Sequence, residues 1–240
     1  MLFRSRTLAV YTDALCSQFG STLSRLGPGE RWMDIGAGRG QAIIDYFTGS
    51  AKTFAEVQRK ASVVAVSIED RRTPLWEANA ALVGEQRMRY LFDKRLQDYS
   101  VADLGQFQLI TDVIGGFSYS MNLTLFMEKV LSFLKVNGSF FTVLQDVHFH
   151  DRSNPPYYKD APYLTQITDG SGAEITVCAW LRSISCAQVT CEDKPDWKPP
   201  IEAFHVRKVC DAVSVPPLTP VHFQAGTPPE RFYKLGAAAH

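Results

Sequence analysis

The sequence predicts an α/β protein built on a doubly wound, mostly parallel sheet that ends in an antiparallel strand pair. Three observations predict it. Residues 32–40, Trp32-Met33-Asp34-Ile35-Gly36-Ala37-Gly38-Arg39-Gly40, join an apolar run to three alternating glycines and then to an apolar helical pattern at Ala42, Ile43 and Ile44. Residues 62–68, Ser62-Val63-Val64-Ala65-Val66-Ser67-Ile68, form a continuous apolar, β-branched run, the pattern of a parallel strand buried on both faces. Strand-like and helix-like stretches then alternate to about residue 144, which implies crossover connections and helices on both faces of the sheet.

Composition narrows the class further. At 240 residues the chain suits one domain, or one domain with an extension. Lys plus Arg and Asp plus Glu both number 25, so the formal net charge is zero. That argues against bulk electrostatic binding to nucleic acid or to an anionic membrane. No run is long enough to span a bilayer, and Asp13 interrupts the only apolar stretch near the N-terminus. The five cysteines, Cys16, Cys178, Cys186, Cys191 and Cys210, contain no C-x-x-C pair. Reduced, mostly buried thiols in a cytoplasmic protein are expected.

The elements follow in order. Leu8, Tyr11, Leu15, Phe19, Leu23 and Leu26 recur at intervals of three and four, one face of a leading helix across 4–26, stopped by Gly27-Pro28-Gly29. A first strand covers Arg31–Ile35, and a helix follows from Gln41 to Phe47. A short helix is expected at 54–59, a second strand at 62–68 and a helix at Pro74–Val83, with proline in its first turn. Met88–Phe92 and Phe107–Ile114 read as the third and fourth strands. Leu123–Leu134 is an amphipathic helix, Asn137-Gly138 a turn, and Ser139–Leu144 the fifth strand. Residues 146–172 read as a long loop, and loops of this length are usually functional or disordered. A helix is expected over Ala173–Ile184, antiparallel strands at Gln188–Glu192 and Ile201–Val209, and an irregular proline-rich tail from 211. The domain reading is a leading helix over 1–29, a main domain over 30–210 with 146–172 as a loop insertion, and a tail over 211–240.

Asp34-Ile35-Gly36-Ala37-Gly38-Arg39-Gly40 resembles the first motif of the class I S-adenosylmethionine-dependent methyltransferases. Its glycine spacing differs from the G-x-G-x-x-G of dinucleotide-binding proteins. Residues 107–112 look like that family's fourth-strand segment. Leu131-Ser132-Phe133-Leu134-Lys135-Val136-Asn137-Gly138-Ser139-Phe140 looks like its L-x-x-L-K-P-G-G-x-F stretch, with Val136 and Asn137 in place of Pro and Gly. The resemblance covers roughly residues 30–145. It implies a Rossmann-like fold, S-adenosyl-L-methionine as cofactor, cofactor contacts from Asp34, Gly36, Ala37, Gly38 and Gly40, a leading helix over 1–29 that lies over the cofactor site as a lid, and 146–172 as an active-site loop.

The family usually keeps an acid at the end of strand two to accept from the ribose diol. Here that position is Ser67, so Glu69, which shares the strand-side parity of Ser67, is the expected substitute. Asp98 is the candidate for the adenine amino group. Asp112, ending strand four, is expected to touch the methionine end or the substrate, because a buried acid must be paired.

A base is needed only for a protonated acceptor. Asp146, His148 and His150 alternate along the chain and would share one face, giving a histidine base with a carboxylate neighbour. Catalytic roles are expected for His148, Asp112 and Asp146, and no metal. Tyr11, His150, Asn154 and Tyr157 are the expected substrate contacts. Asn154-Pro155-Pro156-Tyr157 spells the motif of methyltransferases acting on the amino groups of adenine or glutamine, although there it directly follows strand four. The leading expectation is O- or N-methylation of a small-molecule acceptor. The alternatives are amide or amino methylation through Asn154–Tyr157, or a non-catalytic binding module. A homodimer is compatible with any of these.

Overall fold

The computed structural model describes residues 6–49, 61–145, 165–197, 200–226 and 229–236. A seven-stranded sheet runs through its centre. The strands are β1 (Arg31–Ile35), β2 (Ser62–Val66), β3 (Met88–Leu91), β4 (Phe107–Val113), β5 (Leu134–Leu144), β8 (Ala187–Lys194) and β9 (Ile201–Lys208), in the order β3-β2-β1-β4-β5-β9-β8. The first five run parallel, and β9 and β8 close the sheet antiparallel. This is the doubly wound α/β sheet with a C-terminal antiparallel pair that the hydrophobic pattern predicts.

Each face carries its own core. One packs Leu8, Tyr11, Phe19, Trp32, Ile43, Tyr46 and Phe141 beneath α1 (Leu8–Ala14), α2 (Gln18–Ser24) and α3 (Gln41–Thr48). The other packs Met33, Ile35, Phe117, Phe126, Val130, Phe140 and Phe204 beneath α6 (Gly116–Tyr119) and α7 (Leu123–Phe133). Successive residues of a strand face opposite ways, so Trp32 and Met33 fall in different cores. The helix α4 (Pro74–Val83) is capped by the Thr73 hydroxyl, which accepts from the Trp76 amide at 3.2 Å. A short α5 (Val101–Leu104) precedes β4.

The N-terminal region departs from a single lid helix. It is two helices, α1 and α2, broken at Leu15–Ser17. Leu8, Tyr11, Ala14, Leu15 and Phe19 are fully buried, and Phe19 meets Phe141 edge-on at 5.6 Å. Lifting these helices would open the core.

Residues 211–235 are not an irregular tail. They form β10 (Leu218–Gln224) and β11 (Glu230–Leu235), which join β6 (Thr165–Thr168) and β7 (Glu174–Ile175) in a second sheet of order β10-β11-β6-β7. The strand β10 lies at the sheet edge, where proline is tolerated, and Pro220 adjoins a register shift. Helix α8 is Val177–Arg182, shorter than 173–184 because β7 takes its first residues. The expected turn at Asn137-Gly138 lies inside β5, which starts at Leu134, with Asn137 in the left-handed region.

The cysteines also differ from expectation. Cys178 pairs with Cys191 and Cys186 with Cys210, tying α8, β8 and the end of β9 together. Cys16 is the free thiol, and it is buried. C-x-x-C spacing could not reveal pairs 13 and 24 residues apart. Among the described residues no helix is long and apolar enough to cross a membrane. The helix expected at 54–59 lies outside the described residues.

Candidate functional site

Strand order reverses between β1 and β4. In an open parallel sheet ligands bind in the crevice beyond the carboxyl ends of the strands at that reversal. Here residues 36–40 border it on the β1 side and residues 114–116 on the β4 side.

The glycine turn is shaped by its backbone. Gly36, Gly38 and Gly40 all have positive φ, 65°, 58° and 69°, a region in which a Cβ is penalised. The Gly36 and Ala37 amides donate to the Val66 carbonyl at 2.8 and 3.3 Å, so β2 holds the turn. A Cβ on Gly36 would stand 2.8 Å from Gly115 Cα, and one on Gly40 would stand 2.3 Å from the Trp76 ring. At Gly38 nothing lies within 4 Å of where a Cβ would be. The crevice is open there, and the Tyr90 hydroxyl steadies the turn by donating to the Gly38 carbonyl at 2.6 Å.

Across the crevice Ile114 has φ 53°. A β-branched residue in that region is strained, and such strain gathers where function constrains the chain. Its carbonyl accepts from the Arg6 guanidinium at 3.0 Å, and the same guanidinium donates to the Gly36 carbonyl. One cation thus bridges the ends of β1 and β4.

Two fully buried carboxylates lie beneath. Asp34 accepts from the Tyr11 hydroxyl at 2.9 and 3.0 Å and from the Thr111 hydroxyl at 2.7 Å. Thr111 accepts in turn from the Trp32 indole at 2.7 Å. Burial pushes the Asp34 carboxyl up to about 6, against the hydrogen bonds from Thr111 and Tyr11 and the charge of Arg6. Burial, and then Asp34, raises the Tyr11 hydroxyl well above its usual value, so it stays protonated as a donor. Asp112 accepts from the Gly115 and Phe117 amides at 2.6 and 2.7 Å. Burial pushes it up to about 7, against those two bonds and Arg6.

The rim beyond β4 is fixed by the second sheet. Buried Arg231 on β11 donates to the Phe117 and Ser120 carbonyls, both at 2.8 Å, and Tyr233 donates to the Met121 carbonyl at 2.9 Å.

No protein-family model and no curated protein matches the sequence. Solved structures do match. Phosphoethanolamine N-methyltransferase 2 of Haemonchus contortus, in complex with S-adenosyl-L-methionine, superposes with a TM-score of 0.51 at 12% identity, over 78% of this chain and 50% of that one. The fold is that of the class I S-adenosylmethionine-dependent methyltransferases. Two weaker likenesses carry no argument. Geranyl diphosphate methyltransferase, in complex with GPP and sinefungin, gives a TM-score of 0.38 at 18% identity over 53% of this chain and 42% of that one. The antibiotic-resistance methyltransferase Kmr gives 0.45 at 14% over 82% and 93%. The chain spans half or less of the length of the first two.

Within this methyltransferase fold the sequence-predicted residues separate. Gly36, Ala37, Gly38 and Gly40 form the crevice edge. Asp34 does not line it: its carboxylate shares the Trp32 face and is consumed by Tyr11 and Thr111. Tyr11 is likewise an internal donor to Asp34. Asp112 has both oxygens on backbone amides, so it positions the loop 115–117. Ser67 is the first residue past β2 and is buried. Glu69 is exposed and paired with Arg71 at 2.7 Å. The parity argument for it fails because β2 ends at Val66 and the chain bends at Ile68–Glu69. Asp98 is exposed and caps its own short turn, accepting from the Arg95 amide at 2.9 Å. Asp146, His148, His150, Asn154 and Tyr157 lie outside the described residues. Arg6, Thr111, Ile114, Trp76 and Tyr90 were not expected. Local patterns carry no signal for them, since their contacts reach across 30 to 108 residues.

Proposed function

We propose that this chain transfers a methyl group from S-adenosylmethionine to a small-molecule acceptor, at oxygen or nitrogen. The observation that carries the reading is the crevice at the strand reversal. Left-handed glycines border it, open space lies over Gly38, and two backbone carbonyls there already accept from a cation.

The residues present fit the cofactor unequally. The Gly36 and Ile114 carbonyls suit its amino-acid end, which carries an ammonium. At the diol end the chain offers the Ser67 hydroxyl, a weaker partner than a carboxylate. S-adenosylmethionine, when bound, supplies a sulfonium-borne methyl for in-line displacement. The chain's own part is to hold the ends of β1 and β4 in one geometry, which Asp34, Asp112 and Arg231 do through their hydrogen bonds. Holding the reacting groups in near-attack geometry can supply about 7–11 kcal/mol of a barrier. The zero net charge supports a small acceptor over a nucleic acid.

Titration calorimetry and thermal unfolding with S-adenosylmethionine and S-adenosylhomocysteine test the reading. A ligand that binds only the folded chain raises its stability by about 2.7 kcal/mol at a hundred times its Kd. The absence of both binding heat and thermal shift at millimolar ligand would refute the proposal.

A further inference from the structure

We propose that Arg6 is an internal occupant of the crevice that competes with the ammonium of the cofactor's amino-acid end. The inference rests on reading the crevice as the S-adenosylmethionine site, and concerns how that site is controlled.

The Arg6 guanidinium donates to both the Gly36 and the Ile114 carbonyl, one at the end of β1 and one at the end of β4. A planar guanidinium lodged between those carbonyls fills the volume that an ammonium donating to the same two carbonyls would need. The two cations exclude one another.

Their exchange also conserves charge. Asp34 and Asp112 are fully buried beneath the crevice, and Arg6 acts on both, favouring their ionised forms. Buried carboxylates without a compensating cation are costly. Arg6 supplies one when the crevice is empty, and the incoming ammonium supplies one when Arg6 leaves. The carboxylates are compensated in both states.

The anatomy limits what has to move. Helix α1 stays, because Leu8, Tyr11, Ala14 and Leu15 are fully buried and the Leu8 amide donates to Asp45 at 2.9 Å. Arg6 precedes the helix cap Thr7 and is only half-buried. Withdrawal of its long side chain clears the site while the core stays intact. Arg6 therefore lowers apparent cofactor affinity by the fraction of molecules in which it is docked.

The test compares wild type with Arg6→Ala and Arg6→Gln, using S-adenosylhomocysteine and 5′-methylthioadenosine, which lacks the amino-acid end. If the crevice is free in about one molecule in ten, both variants bind S-adenosylhomocysteine about tenfold tighter than wild type. Methylthioadenosine binds all three alike. Unchanged or weaker S-adenosylhomocysteine binding in both variants overturns the proposal and shows that Arg6 holds the ligand or ignores it. Absence of binding by either ligand to any of the three proteins is a different failure, that of the cofactor reading, and removes this inference with it. A second readout uses wild type alone and so does not depend on the variants folding. Tryptic cleavage after Arg6 accelerates when S-adenosylhomocysteine is saturating, and an unchanged rate in a protein that binds the ligand counts against the proposal.

Discussion

The Tyr11 hydroxyl donates to both oxygens of Asp34, at 2.9 and 3.0 Å, with both residues fully buried. This contact joins α1 to the carboxyl end of β1, directly under the glycine turn. Removing the donor alone, by Tyr11→Phe, keeps the ring against Phe19 and leaves Asp34 with Thr111. A buried charged acceptor that loses a partner costs about 2 kcal/mol. Urea unfolding at pH 8 reads this as a lower midpoint with an unchanged slope. An unchanged midpoint would show that the hydroxyl contributes nothing to the fold.

The same burial sets a pH dependence. Asp34 at about 6 and Asp112 at about 7 lie above the usual carboxylate value near 4. Between about pH 4 and 7 the folded chain therefore holds more protons than the unfolded one. Stability from these two groups falls as pH rises through that window, and is level above about 8. His205 acts in the opposite sense. Burial, and then Arg207, hold its imidazole down to about 4, so its contribution is complete above about 6.5 and is lost as pH falls toward 4. The wild-type curve sums opposing slopes, and difference curves separate them. The stability gap between wild type and Asp34→Asn should shrink from pH 4 to 6, while the gap to His205→Gln should widen over the same range. Urea midpoints at half-unit pH intervals check both, and a gap that runs the other way for either variant contradicts its assignment.

Much of this fold was legible because its elements are built from local signals. The strand β1 and helix α4 match expectation to the residue, since an apolar run bounded by glycine and a proline at a helix start are short-range features. The site was legible where it is backbone, at Gly36–Gly40. It was misread where side chains decide. The sequence shows an acid beside the glycines, but only the covering helix α1 reveals that Asp34 turns inward to Tyr11. The parity argument for Glu69 did not carry over, because a two-residue periodicity ends with its strand. The proline-rich segment 211–235 hid two strands, since an edge strand accepts a proline that a central strand would not. Arg6 and Ile114 meet across 108 residues, a distance over which no pattern is visible.

The glycine turn supports a discriminating pair of substitutions. Gly40→Ala drives a Cβ to 2.3 Å from the buried Trp76 ring, in a close-packed region with no room to shift. It should destabilise the chain strongly and show as a large drop in melting temperature. Gly38→Ala meets nothing within 4 Å, so its cost is the left-handed backbone alone, roughly 1–2 kcal/mol. The protein should stay folded. Its methyl group would nevertheless stand in the open crevice, and affinity for S-adenosylhomocysteine should drop at least tenfold. A Gly38→Ala protein that binds as tightly as wild type would place the ligand elsewhere.

The cysteine pairs make a prediction that chemistry alone can read. With Cys178–Cys191 and Cys186–Cys210 bonded, Cys16 is the one available thiol. It is buried, and burial, followed by the charge of Glu192, pushes it up to about 12, so little thiolate exists near neutral pH. The native protein should therefore resist iodoacetamide. Denatured without reductant it should take one label, and denatured after reduction it should take five, the number of cysteines in the chain. Three or five labels without reductant would break one or both pairings. The pairs close loops of 13 and 24 residues, for which the loss of each bond costs about 3 kcal/mol in the chain-entropy account. Replacing Cys178 and Cys191 together by serine should lower the urea midpoint accordingly. The Cys186 and Cys210 double variant should lose at least as much, because its loop is longer.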